Sequence, residues 1–137
     1  MPAAEFVERF AGAWADPSPE RLNGLLHPDV RLVQPLEGEV RGHAGTSAMW
    51  RRTFGLIPDL RGEVVDWAER GELLVIAVRL HGTLGGRPVE WVSSDHIRLR
   101  EGRISERIAY FDPLPLVVAL LRAPSAWPRY VRARLGR

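Results

Sequence analysis

The chain of 137 residues contains no cysteine and no lysine. The first absence removes disulfides, thiolate nucleophiles and cysteine-based metal sites together. The second leaves nineteen basic side chains that are all arginine. This reads as a GC-rich coding bias, so the basic pI is poor evidence for a nucleic-acid partner. Acidic side chains are missing beyond Asp112, whereas Arg122, Arg129, Arg132, Arg134 and Arg137 follow. The formal charge of +2 therefore collects in the tail, and the body ahead of it is slightly acidic.

No stretch approaches the roughly 20 apolar residues of a membrane span. The N-terminus carries Glu5 and Glu8 early and has no basic segment leading into an unbroken apolar run, unlike a secretory signal. A soluble cytoplasmic protein is expected. The four histidines are scattered, with no His-x-His or His-x-x-x-His spacing, so no metal site is expected. Gly82-Thr83-Leu84-Gly85-Gly86 is a hairpin turn with no helix after it, not a phosphate loop. No cofactor is implied.

At this length, with 45% hydrophobic residues, the chain is one domain with enough apolar material for a core. Phe6, Val7, Phe10, Ala13 and Trp14 recur at amphipathic-helix spacing and predict a helix over Ala3 to Ala15. Ser18 caps a second short helix with Pro19 at its first position, running through Leu22, Leu25 and Leu26 and ended by His27-Pro28-Asp29. Val30 to Gln34 reads as a short strand, and Leu36 to Gly45, with three glycines, as a loop. Thr46 or Ser47 caps a third helix through Met49, Trp50, Thr53, Phe54 and Ile57, stopped by Pro58.

Beyond Leu60 the period changes from 3.6 to 2. Arg61 to Ala68, Leu73 to Thr83, Arg87 to Arg100 and Arg103 to Phe111 predict four strands joined by Gly-rich turns, a meander of sequential neighbours. Leu114 to Leu121 reads as a helix started by Asp112-Pro113. The tail holds Pro124 and Pro128 and carries no structural assignment. Helices on one face of a bent antiparallel sheet make an α+β domain that can pinch into a cone. The opposite face must be solvated or paired, and Trp67 with the Val/Ile content of the strands favours pairing as a homodimer.

Asp95 interrupts the longest β-prone run. Strands alternate faces, so it shares a face with Trp91 and Ile97. An unpaired carboxylate there is costly to desolvate or is driven to take up a proton. It therefore needs a partner or a function. His96 must point to the other face, which excludes an Asp95–His96 pair. His81 has the parity of Arg79 and also faces away.

The order of elements, with Gln34-Pro35, Arg41-Gly42, Asp95-His96-Ile97-Arg98, Glu101-Gly102-Arg103-Ile104 and Tyr110-Phe111-Asp112-Pro113, resembles the nuclear transport factor 2-like superfamily. Its nearest branch is similar to the SnoaL-like proteins, which include polyketide cyclases, with ketosteroid isomerase a more distant cousin. The resemblance covers residues 1–122, leaving 123–137 as an Arg-rich C-terminal extension. It implies a cone-shaped fold in which N-terminal helices pack on a curved, mostly antiparallel sheet around a pocket. Aligned with the isomerase, Phe10 stands where that enzyme has a Tyr donor and Gln34 where it has its Asp base; only Asp95 matches. A Gln cannot abstract a proton and a Phe cannot donate a hydrogen bond, so steroid isomerisation of that kind is not expected.

The cyclase pattern fits better. The resemblance implies Asp95 as acid/base, with its pKa raised by desolvation, and Gln34 as a neutral group orienting a substrate carbonyl or hydroxyl. Phe10, Trp14, Trp50, Phe54, Trp91 and Phe111 are the expected aromatic walls for a flat hydrophobic ligand. Tyr110 is expected at the rim or at an interface. The leading expectation is a cofactor-independent cyclase, isomerase or lyase acting on a polycyclic or polyketide-like metabolite. Two rivals stand beside it: a binding module of the same fold without turnover, and an epoxide hydrolase, whose branch resembles an Asp-Arg-Asp array not located in full here. The tail reads as a solvated or dimer-clasping extension rather than a nucleic-acid or membrane arm.

Overall fold

The computed structural model describes residues 2–135; Met1, and Gly136 and Arg137 at the end of the Arg-rich extension, lie outside the described residues. The apolar stripe of Phe6, Val7, Phe10 and Trp14 is buried and fixes α1 (Ala3–Ala15) against the sheet. Each such side chain contributes on the order of 1.5–3 kcal/mol when fully buried. Ser18 caps α2 (Pro19–Asn23), its hydroxyl accepting from the Arg21 amide at 3.1 Å. This helix is shorter than the sequence predicts. It stops at Asn23, and Leu26 opens β1 (Leu26–Gln34), so His27-Pro28-Asp29 lies inside that strand.

The segment expected as a loop holds β2 (Gly38–Arg41), antiparallel to the end of β1, and the start of α3 (Gly42–Leu56). Neither Thr46 nor Ser47 caps that helix. Gly42, at φ 69°, turns the chain into it, and the buried Thr46 hydroxyl instead donates to Asn23 Oδ1 at 2.7 Å. Four long strands follow as predicted: β3 (Arg61–Arg70), β4 (Leu73–Leu84), β5 (Arg87–Arg100) and β6 (Arg103–Tyr110). The six-stranded sheet has the order β2-β1-β6-β5-β4-β3, antiparallel throughout except for the parallel β1–β6 pair. This is the α+β architecture of helices on a curved, mostly antiparallel sheet.

Leu74, Ile76, Val78 and Leu80 on β4 face the helices, with Arg79 and His81 on the outside. The outer face keeps Val92 and Tyr110 about half exposed. Trp67 is not part of it. A bulge between Val64 and Asp66 shifts the alternation by one residue, so Trp67 pairs with Ile76 on the helix side.

The C-terminal segment is folded. After α4 (Leu114–Leu121) a 3₁₀ turn (Pro124–Ala126) leads into α5 (Trp127–Leu135), which packs on α3. Ala123 and Ala126 are buried core residues, and Trp127 Nε1 donates to Leu120 O at 2.7 Å. Residues 123–135, expected as an extension, thus pack against the rest of the chain. Among the described residues no helix is long and apolar enough to cross a membrane.

Candidate active site in the cone

Three strands bring polar groups to the inner face at one depth. Gln34 ends β1, Ser93 and Asp95 sit mid-way along β5, and Arg107 lies on β6. Asp95 pairs with Ala109, and Arg107 with Ile97 and Leu32, which places the carboxylate and the guanidinium on neighbouring strands of the same face.

Asp95 is only 4% exposed and Arg107 5%. The Ser93 hydroxyl donates to Asp95 Oδ1 at 2.6 Å. Asp95 Oδ2 lies 3.8 Å from Arg107 Nη1, close enough for charge attraction and too long for a hydrogen bond. Arg107 Nη2 donates to Gln34 Oε1 in a short hydrogen bond, while Arg107 Nε has no partner among the described residues. The guanidinium carbon sits 5.7 Å from the Trp50 ring centroid, within cation–π range. Trp50 is itself fixed, its indole N–H donating to Asn23 Oδ1 at 3.1 Å, and Trp14 meets it edge-on at 5.9 Å. Of the partner or function that the sequence requires for this carboxylate, the structure supplies a partner. A buried cation compensates its charge, and the cation is held from its other side by an amide.

Beside this cluster lies a cavity of about 170 Å³. At ~10–15 Å³ per water-sized group it holds on the order of a dozen such groups. Trp14, Trp50, Trp91, Phe111, Gln34 and Asp95 all line it, as expected from the sequence. Trp91 and Phe111 pack at 6.1 Å, and the Trp91 indole N–H is buried without a partner among the described residues. The rim carries an ion pair of low exposure, Arg52 Nη2 to Glu37 Oε2 at 2.7 Å, next to Leu36, which adopts φ 74°. From α5, Tyr130 and Arg134 complete the wall, and Arg134 Nη1 donates to Leu36 O at 3.2 Å.

Two expected wall residues lie outside the lining, and Tyr110 lies away from the rim. Phe10 is fully buried between Phe6 and Trp14 and does not reach the cavity, because it lies one helical turn behind Trp14. Phe54 packs on the core outside the lining. Tyr110 is on the outer face, stacked edge-on against His96 at 4.8 Å. The sequence reading missed Arg107, Ser93, the Glu37–Arg52 pair and Tyr130. Arg107 was within its reach, since the alternation that puts Phe111 inside also puts Ala109 and Arg107 there.

The chain belongs to the SnoaL-like domain family, whose sequence profile matches residues 7–107. No curated protein matches it by sequence. Among solved structures it is similar to TerC, crystallised with polyporic acid, at 20% identity and TM-score 0.77, over 88% of this chain and 99% of that one. It is also similar to IdmH from Streptomyces antibioticus, a proposed polyketide cyclase, at 23% identity and TM-score 0.73, over 88% and 99%. A third similar structure is a protein of ketosteroid isomerase-like fold from Catenulispora acidiphila bound to trimethylamine, at 21% identity and TM-score 0.75, over 90% and 95%. At these identities the shared property is the cone-shaped fold of this superfamily.

Proposed function

We propose that the protein is a small cofactor-independent enzyme of the cyclase, isomerase or lyase type, using Asp95 for acid/base work on a flat, hydrophobic, polyketide-like metabolite. The observation that carries this reading is Asp95 Oδ2. It is a carboxylate oxygen on the wall of an apolar, aromatic-lined cavity that makes no hydrogen bond among the described residues. Such an oxygen is free to exchange a proton with a ligand in van der Waals reach. Gln34 remains a neutral partner, its carbonyl committed to Arg107 and its amide group available to orient a substrate oxygen. The Trp91 indole N–H, without a partner among the described residues, is a second donor for an oxygenated ring system. The likeness to TerC, crystallised with polyporic acid, and to IdmH supports this ligand class.

The test is turnover of flat polyketide-type carbonyl compounds. Asp95→Asn should keep ligand binding and lose on the order of 10²–10⁴-fold in rate. Turnover that survives the substitution refutes the reading. Compensation of the Asp95 charge by the nearby Arg107, with Ser93 on Oδ1, favours the second reading, a binding module, and binding with no turnover by the wild type would establish it. Epoxide hydrolysis fits less well, because the group on the far side of Arg107 is the amide of Gln34, giving Asp-Arg-Gln in place of two carboxylates.

We further place the protein in the cytoplasm as a homodimer joined through the outer sheet face, where Val92 and Tyr110 are about half exposed. Sedimentation should give a dimer for the wild type and a monomer for Val92→Arg, whereas a monomeric wild type refutes the assignment.

A further inference from the structure

The Asp95–Arg107 pair has unused capacity on both sides of its gap. Arg107 offers five N–H donors, yet its only hydrogen bond among the described residues runs from Nη2 to Gln34. Nη1 faces Asp95 Oδ2 across 3.8 Å, and both groups line the cavity. A guanidinium that is 5% exposed would ordinarily use its donors on its carboxylate. Here the fork is turned to Gln34, which keeps one N–H and one carboxylate oxygen side by side and open to a ligand.

We propose that this gap is a bifunctional site for an enolisable carbonyl compound, with Arg107 as a catalytic residue that receives the oxygen made negative when Asp95 removes the proton from the neighbouring carbon. The inference rests on the acid/base reading of Asp95 above and adds to it the substrate's reacting group and a second residue. In the step, the C–H bond breaks and its proton bonds to Oδ2. The electron pair left behind forms the new C=C bond, and the carbonyl π pair moves onto oxygen. Charge is conserved within the floor of the pocket. Before the step Asp95 is negative and Arg107 positive; afterwards Asp95 is neutral and the enolate is the counter-ion of Arg107. The guanidinium exchanges one anion for another without moving, which is the preorganised stabilisation that matters most away from bulk water. The same cation would hold a ligand that is already an oxyanion, provided Asp95 were neutral.

That corollary is the test. Lawsone, a hydroxynaphthoquinone ionised at neutral pH, mimics the enolate, and its O-methyl ether is a neutral control of nearly the same shape. Calorimetric titration of both into wild type, Asp95→Asn and the double variant Asp95→Asn/Arg107→Met separates charge from fit. Asp95→Asn should bind lawsone about tenfold or more tightly than the wild type, as for one added charge-assisted hydrogen bond, with the ether unchanged. The double variant should lose that gain. Should Asp95→Asn not fold, Asp95→Ser makes the same charge change with a smaller side chain and is read in the same way. Unchanged lawsone affinity in the single variant, or a gain that survives in the double variant, overturns the proposal. If Asp95→Asn also abolishes turnover, that result leaves the acid/base reading standing. Failure of both probes to bind any form overturns the proposal together with the function beneath it.

Discussion

The Asp95–Arg107 pair makes a quantitative prediction about stability, because both partners are at most 5% exposed. At 3.8 Å, and with an effective dielectric constant of about 20, their attraction is about 4 kcal/mol. Arg107→Met removes the cation and leaves a buried carboxylate with one hydroxyl donor, Ser93. Breaking a buried pair from one side costs about 3–5 kcal/mol. The hydrogen bond to Gln34 is lost as well, while the methionine keeps part of the packing on Trp50. Asp95→Asn should cost less, about 1–3 kcal/mol, since the stranded guanidinium retains Gln34 and the Trp50 face. The double variant leaves no charge to strand and should fall within about 1 kcal/mol of the wild type. The coupling energy from the cycle, the two single costs less that of the double variant, is then about 3–9 kcal/mol. Urea unfolding of the four proteins, with midpoints multiplied by a common slope, measures it. A coupling below about 0.5 kcal/mol is the value of a surface pair. It would mean that cavity water screens the site and that no desolvated floor exists for the chemistry.

Three further outcomes test the rest of the structure. Phe10→Ala should destabilise the fold by about 3–5 kcal/mol and leave ligand affinity in the folded protein unchanged; a selective loss of affinity would return Phe10 to the cavity wall. Gly85→Ala places a Cβ 2.3 Å from Ala123 Cβ at φ 60°, so it should cost about 1–3 kcal/mol and make the α4–α5 segment cleavable by trypsin before the sheet unfolds, with wild-type cleavage kinetics as the opposing result. The Asp59 carboxyl is held below its ordinary 3.8, first by the Thr83 hydroxyl and then by the Thr83 amide. A depressed folded value means that its stabilisation is present above 3.8 and is lost as the pH falls below it. The deficit of Asp59→Asn in urea midpoint should therefore shrink between about pH 6 and about pH 2.5, and a deficit that grows refutes the assignment.

Most of the fold was readable because strong periodicities carry it: the α1 stripe, and the strict alternation of β4 and β5. What was not readable has local causes. β2 is four residues long, Gly38-Glu39-Val40-Arg41, mostly exposed at the sheet edge, and so has no apolar alternation to detect. The α5 helix was hidden by two prolines. Pro124 begins a 3₁₀ turn and Pro128 occupies the second position of its helix, where a missing N–H breaks no helical hydrogen bond. Trp67 was assigned to the outer face because one bulge residue inverts everything after it, and a bulge leaves no mark in composition. At the site, Asp95, Gln34 and four aromatic walls followed from alternation and resemblance together. Phe10 followed from resemblance alone and failed, since equivalence along α1 does not fix which turn meets the cavity. Arg107, beside Glu106, looks like half of a solvated charge pair until strand pairing turns the two to opposite faces.

Gln34 then acquires a physical reason. A carboxylate at the end of β1 would bind Arg107 more tightly, but it would give the buried floor two negative groups against one positive. The guanidinium would be spent on its own neighbours, and any ligand oxygen gaining charge would meet net repulsion. An amide carbonyl accepts one N–H without cancelling the charge, fixing the plane of the fork while Nη1 keeps its full attraction for whatever sits beside Asp95. The position that lost a base by comparison with the isomerase pattern thus serves the remaining acid by aiming its counter-ion. The catalytic role proposed for Asp95 and a non-acidic residue at position 34 would both follow from keeping one buried pair neutral.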